Sequence, residues 1–232
     1  GNIKGEQGNP ECCITRNRMK EIDNITLTFL SLDDYQELKV AMIESYTGMA
    51  NSYWKEHHIR SLIDLFPEGQ VVIKVNNQIA GCALSIIVDY DMVDSPHTYK
   101  QITGEYSFKT HSPDGDVLYG IDIFIKPEFR GLRLGRRLYD YRKELCERLN
   151  LKAVSFGGRI PNYHQYADEL SVAEYIDKVK RRELHDPILS FQLANDFDVK
   201  RIMRGYLPED SASKGYATLL EWDDFFYEED IQ

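Results

Sequence analysis

The sequence predicts an α+β or α/β fold: a mixed central β-sheet, splayed in its middle, with helices on both faces. Three observations carry this expectation. β-branched runs alternate along the chain with segments whose apolar residues recur at helical spacing. Two of those runs, QVVIKV and QIAGCALSIIV, flank Asn76-Asn77, and asparagine tolerates the positive φ of a tight hairpin turn. The run VLYGIDIFI passes through a glycine-bearing turn into a helix and then into KAVSFGG. Strands joined in that way are parallel and need a crossover.

The elements follow in order. Residues 1–23 are polar, contain Gly1, Gly5, Gly8 and Pro10, and read as a flexible leader to a domain spanning 24–232. A short strand, ITLTFL, comes next. Ser31, with Asp34 in capping-box position, opens a helix with Leu38, Met42 and Tyr46 on one face. A second helix covers about 54–66. After the hairpin, residues 89–116 form an insertion marked by turns at Ser95-Pro96, Ser112-Pro113 and Asp114-Gly115, expected to cover one end of the sheet. The helix after the glycine-bearing turn carries Leu134, Leu138, Tyr141, Leu145 and Leu149 on one side. Ser171 and Glu174 form a second capping box. A short helix in DPILSFQLAND and two strands, FDVKRIMRGYL and YATLLEWD, close the chain.

Composition excludes several classes of function. The formal net charge is −10 and the pI about 5.1, which argues against nucleic acid as a partner. There is no apolar run of about 18 residues, so no membrane span is expected. The cysteines, Cys12, Cys13, Cys82 and Cys146, have neither zinc-site nor disulfide-framework spacing, and a cytoplasmic setting is the expectation. His57-His58 gives no metal site, because adjacent helical positions face different ways. No metal is expected.

Against this acidic background, Arg130, Arg133, Arg136, Arg137, Arg142 and Lys143 crowd around one strand-to-helix junction. The N-terminus of a helix offers unpaired N–H groups and a partial positive charge, so such a junction can cradle a ligand with several phosphates. The competing reading has Arg136, Arg137 and Arg142 solvating a surface helix face. Neither GxxxxGK[ST] nor GxGxxG occurs in the chain.

The segment IFIKPEFRGLRLG resembles the coenzyme A signature of the GNAT acyltransferase superfamily: an apolar strand, often a proline, then Arg/Gln-x-x-Gly-x-Gly/Ala opening a helix. Arg130 and Gly135 match its ends, while Arg133 stands where the family carries its middle glycine. An arginine there must either take up a glycine-like conformation or supply its guanidinium. The wording of YGIDIFIKPEFRGLRLGRRLYD and GGRIPNY is similar, more narrowly, to bacterial GNAT domains that precede a carbon–nitrogen hydrolase domain.

The resemblance implies a GNAT-like fold and direct acyl transfer from acetyl-CoA to an amine, on a small molecule or a protein, with a carbon–nitrogen hydrolase domain or partner. A non-catalytic acyl-CoA-binding module working with such a hydrolase is the alternative. It implies that Phe124, Ile125 and Lys126 meet the pantetheine arm, and that Arg130, Gly131, Leu132, Arg133, Leu134, Gly135 and Arg136 hold the pyrophosphate. Asn162 either bonds the arm or is a turn residue after Pro161. Many members carry a tyrosine in the late helix, where this chain has Phe191 and Gln192, and neither is a usable acid. Tyr163 and Tyr166 are the substitutes considered for that catalytic role, with His164 as a possible proton carrier. For the base, period-2 alternation sets Tyr119, Ile121, Ile123 and Ile125 on one strand face and Asp122 on the other. Tyr119 occupies the position of a catalytic side chain, and Asp122 is either a base of raised pKa or a structural hydrogen-bonding group. The acidic tail EWDDFFYEED can attract a cationic amine.

Overall fold

The computed structural model describes residues 24–46 and 52–229; the leader expected over 1–23 lies outside them. Seven strands form one sheet in the order β1-β2-β3-β4-β5-β7-β6. They are β1 (Ile25–Phe29), β2 (Val71–Val75), β3 (Gln78–Val88), β4 (Val117–Ile125), β5 (Ala153–Gly158), β6 (Asp198–Met203) and β7 (Ala217–Asp223). All neighbours are antiparallel except β4 and β5. The helices are α1 (Tyr35–Ser45), α2 (Glu56–Leu65), α3 (Tyr90–Asp94), α4 (Tyr99–Ile102), α5 (Leu134–Arg148), α6 (Val172–Lys180) and α7 (Leu189–Ala194).

The local chemistry explains most boundaries. Asn76 and Asn77 both take positive φ (48° and 65°), which gives the β2–β3 turn the twist a two-residue hairpin needs. The Ser171–Glu174 capping box forms as expected, each side chain bonding the other's backbone N–H. The first cap differs from expectation. Ser31 caps a 3-10 turn, Leu32–Asp34, by accepting from Asp33 N–H, while Asp34 turns to Lys74 (3.2 Å). Trp54 precedes α2 rather than belonging to it.

Two apolar layers sandwich the sheet. β2 shows the alternation: Val72 joins the layer under α1, α2 and the 89–116 segment, while Val71, Ile73 and Val75 meet α5 through Leu134 and Leu138. Burying each such leucine contributes about 2 kcal/mol. The remaining core holds α5 to α7 against β5 and β7. Helices therefore cover both faces, and the sheet is mixed.

Two features set up the site. First, β4 and β5 pair only over Val117–Tyr119 and Ala153–Ser155, then separate. Second, β4 carries a β-bulge: Asp122 lies opposite Leu84 and Gly120 opposite Ser85, leaving Ile121 as the extra residue. The bulge frees backbone groups, and side chains take them up. Ile121 O accepts from Tyr99 Oη (2.8 Å). Leu84 O and Asp122 O accept from Arg142 Nη2 at 2.9 and 2.5 Å. On the other side of β3, beyond the last β2–β3 pair, Gln70 bridges both backbone groups of Ser85 (2.8 and 3.1 Å).

The bulge corrects the sequence-based assignment of strand faces. Tyr119, Ile121 and Phe124 face the α1–α2 layer, as does Asp122, whereas Ile123 and Ile125 turn to the α5 layer. Arg142, read as one of the solvating charges, is fully buried in α5, while the half-buried Tyr141 bonds Glu68 O (2.7 Å).

Candidate functional site

The site lies where β4 parts from β5, between the turn before α5 and the polar groups on the α1–α2 face. The turn starts with Lys126, paired with Glu128 (2.7 Å) and Glu44 (3.3 Å), and a 3-10 turn at Pro127–Phe129. Gly131 has φ +88°, and nothing lies within 4 Å of where a Cβ would stand, so this backbone is open to approach. Arg133 is the N-cap of α5 in the left-handed conformation (φ 59°, ψ 26°). The arginine thus takes up the glycine-like geometry and keeps its side chain at the surface. Arg130, Arg136 and Arg137 are exposed with it. Helix geometry leaves the first-turn amides of α5 without intrahelical acceptors. Gly135 packs closely: a Cβ there would stand 3.1 Å from Phe191 Cζ. Lys143, by contrast, is committed to Asn195 O (2.6 Å).

On the α1–α2 face, Asp122 gathers three donors. Tyr46 Oη and Trp54 Nε1 (3.1 Å) donate to Oδ2, and the Ile123 N–H donates to Oδ1 (2.8 Å). Burial raises the Asp122 pKa, and these donors pull it back. Burial and the neighbouring carboxylate push Tyr46 well up. Next to this group is a buried chain: His97 Nε2 lies 2.9 Å from Tyr119 Oη, which lies 2.7 Å from Tyr206 Oη. Tyr206 rests on Gly157, beyond the last β4–β5 pair; a Cβ at Gly157 would stand 2.3 Å from its ring. Tyr99 N–H bonds Tyr206 O (2.9 Å), tying the 89–116 segment to the β6–β7 loop.

The structure brings Tyr119, Phe124, Ile125 and the 130–136 turn around the parted strands. It places three expected residues elsewhere. Tyr163 is buried in the α6 layer with its hydroxyl on Leu170 O (2.9 Å) and its ring on Tyr175. Tyr166 packs on Tyr175 in the same layer. Asn162 Nδ2 donates to His185 O (3.3 Å), and its N–H to the buried Asp186 (3.2 Å). The segment after β5 turns into the α6 core and not along the gap, which is why these residues leave it. His164 Nδ1 sits on the Pro161 and Ala212 carbonyls. Gln192 is buried at Gly158, its Nε2 3.3 Å from Tyr139 Oη. Sequence reasoning missed His97, Tyr206, Tyr46 and Trp54. The contacts that gather them join residues more than 65 positions apart, or run through the insertion, whose path has no periodic signal. Among the described residues no group of His, Cys, Asp and Glu is arranged to hold a metal, and no helix is long and apolar enough to cross a membrane.

Comparison with known proteins agrees with this geometry. The family described as Acetyltransferase (GNAT) matches residues 39–167. The chain is 45% identical over 174 residues to the probable hydrolase YhcX of Bacillus subtilis, covering 75% of this chain and 34% of that protein. It therefore spans about a third of that relative's length. It is 37% identical over 174 residues to the uncharacterized N-acetyltransferase YkwB of Bacillus subtilis, covering 75% of this chain and 76% of that one. Among solved structures, the loading GNATL domain of CurA from Lyngbya majuscula shares the fold with a TM-score of 0.75 at 22% identity, over 87% of this chain and 98% of that domain.

Proposed function

The chain belongs to the GNAT acetyltransferase family, and from that premise we propose that it moves an acetyl group from acetyl-CoA directly to an amine. The observation that carries the reading is the parting of β4 and β5 after Tyr119 and Ser155, beside the exposed arginines and open helix start at 130–136. Separated strands leave backbone groups unpaired along one edge, and an extended amide-bearing chain can satisfy them.

In this reading the first-turn amides of α5 and the side chains of Arg130, Arg133 and Arg136 hold the pyrophosphate. Gly131 fits that role because its surroundings are open. The backbone of Phe124, Ile125 and Lys126 meets the pantetheine arm. The thioester then stands between Tyr119 and Gly157, near Asp122. The Asp122 carboxylate draws the cationic amine inward. The ammonium first gives up a proton. The neutral nitrogen then attacks the thioester carbonyl, and the C–N bond forms as the C–S bond breaks. Coenzyme A leaves as a thiolate that takes up a proton to become the free thiol, and the nitrogen sheds its second proton to leave the amide. The 89–116 segment, through His97 and Tyr99, shapes the acceptor side. The match to a third of a probable hydrolase supports a setting in which this domain is joined to, or works with, a carbon–nitrogen hydrolase.

The test is calorimetric titration with acetyl-CoA, then measurement of free thiol over a panel of polyamines, amino acids and peptides with free N-termini. Binding with thiol release is the expected result. Binding without release from any amine replaces the transferase reading with an acyl-CoA-binding module. Absence of binding overturns both.

A further inference from the structure

We propose that His97, Tyr119 and Tyr206 form a proton relay that carries the acceptor's proton away from the parted strands to the His97 imidazole. The proposal rests on the transferase reading above and gives it the proton acceptor it lacks.

The direction of the chain follows from hydrogen-bond chemistry. His97 Nδ1 lies 2.8 Å from Ser95 O. A carbonyl only accepts, so Nδ1 carries the hydrogen. In the neutral ring Nε2 is then a lone pair, and Tyr119 Oη must donate to it across 2.9 Å. Tyr119 oxygen in turn accepts from Tyr206 Oη across 2.7 Å. Tyr206 oxygen stands beside the Gly157 backbone, 2.8 Å from where a Cβ on that glycine would lie. Every proton in the series therefore points toward His97. The far end, Tyr206 oxygen, sits against Gly157, two residues beyond the last β4–β5 pair.

A proton arriving on Tyr206 oxygen releases the Tyr206 proton to Tyr119, and the Tyr119 proton passes to Nε2. Both phenols end neutral and His97 ends as imidazolium, so no phenolate persists. That matters because burial holds both phenol pKa values far above the ordinary tyrosine value. The groups facing His97 are Tyr119 from β4, Tyr206 from the β6–β7 loop and Arg201 from β6. Arg201 donates to the Val93 and Ser95 carbonyls at 2.7 and 2.6 Å. Burial, and secondarily Arg201, hold the imidazole below its usual pKa, while the Ser95 carbonyl opposes them. The ring is thus a neutral acceptor at pH 7. The chain is also tethered at both ends, by Ser95 and by the Tyr99–Tyr206 backbone bond (2.9 Å).

The experiment combines kinetics and spectroscopy on the whole chain. Thiol release from acetyl-CoA, with whichever amine of the panel turns over, is measured from pH 5 to 9 for wild type, His97→Gln, Tyr119→Phe and Tyr206→Phe. Each variant is expected to lose about a hundredfold in kcat, in line with general-base contributions. The KM for acetyl-CoA should stay within about twofold, since uniform binding is untouched. The acid limb of the wild-type pH profile should vanish in His97→Gln. Nitrogen-15 spectra of histidine-labelled protein should show His97 protonated on Nδ1. If His97→Gln unfolds, Tyr119→Phe keeps the ring packing and cuts the same link. An Nε2-protonated His97, or unchanged kcat and pH profile in Tyr119→Phe and Tyr206→Phe, overturns the relay alone. Wild-type protein that binds acetyl-CoA and releases no thiol overturns the transferase reading, and the relay's purpose with it.

Discussion

Replacing Arg142 by methionine tests whether a buried cation holds the β4 bulge. The guanidinium donates to Leu84 O and Asp122 O at 2.9 and 2.5 Å, and both carbonyls belong to the bulged register. Methionine fills similar volume but donates nothing. Each hydrogen bond from a charged donor contributes about 1.5–3 kcal/mol. Against that stands the cost of burying the cation, whose Nε has no partner and whose pKa burial lowers. The two losses outweigh the relief, because they strip a charged donor from one buried and one part-buried carbonyl, whereas the relieved atom is one nitrogen. The net expectation is a loss of about 3 kcal/mol. For a chain of this size that lowers Tm by about 6–12 °C. Urea titration followed by circular dichroism measures it, with an unchanged m-value showing that two-state unfolding survives. Gly120 supplies an internal check. A Cβ there would stand 2.6 Å from Arg142 Nη1, so Gly120→Ala must push the guanidinium off its carbonyls. The two substitutions should therefore be non-additive, Gly120→Ala costing less once Arg142 is methionine. A loss under about 1 kcal/mol for Arg142→Met, or full additivity of the pair, would refute the reasoning.

Three other outcomes are expected. Arg133→Gly removes a side chain from a left-handed position (φ 59°); stability should rise by up to about 1 kcal/mol, while calorimetry should show acetyl-CoA affinity falling about fivefold or more for the lost charge-assisted contact. Unchanged affinity in Arg133→Gly and in Arg133→Glu would take Arg133 out of the phosphate cradle. Tyr163→Phe should lower stability by about 1 kcal/mol through loss of its bond to Leu170 O and leave turnover unchanged; a large drop in turnover at unaltered stability would return Tyr163 to the chemistry. Glu221 is pushed up from 4.5 to about 7, by burial first and then by the Asp223 carboxylate, against Lys200 at 3.6 Å. The folded state thus holds this proton more tightly than the unfolded chain, so its contribution is present below about pH 4.5 and is lost as pH rises toward 7. Melting curves of Glu221→Gln should lose that decline, and identical pH slopes in both proteins would count against it.

Much of this architecture was legible because its signals are local. The Asn76-Asn77 turn, the Ser171–Glu174 capping box and the strand-to-helix junction at 126–135 each depend on residues within a few positions of one another. The parallel β4–β5 pair follows from chain order, since a helix of 15 residues must cross between them. Arg142 marks the limit of charge-pattern reasoning. It stands four residues after Leu138 on the buried stripe of α5, but nothing local says that two free carbonyls wait opposite it. The late helix shows the same limit. Phe191 and Gln192 leave the usual acid position empty, and Tyr163 and Tyr166, which follow the strand end at Gly157-Gly158, are the substitutes the sequence offers. The structure turns both into the α6 core and places Tyr206, 43 residues downstream of Tyr163, at the parted strands, because the β6–β7 loop folds back over Gly157.

The bulge at Ile121 decides which polar groups share the site. In an unbroken strand Tyr119 and Asp122, an odd number of positions apart, would face opposite layers. One extra residue reverses that parity for everything beyond it. Asp122 then reaches Tyr46 and Trp54 in the layer where Tyr119 already meets His97 and Tyr206. The freed Ile121 carbonyl takes the Tyr99 hydroxyl (2.8 Å), which anchors the 89–116 segment at that point. Ordinary alternation leaves Gly120, just before the bulge, on the opposite face, where Arg142 closes over it. Anion, relay and insertion are therefore not three independent placements. Their juxtaposition depends on one residue inserted into one strand, and straightening β4 would separate the Asp122 carboxylate from the tyrosine chain while leaving every side chain in the sequence unchanged.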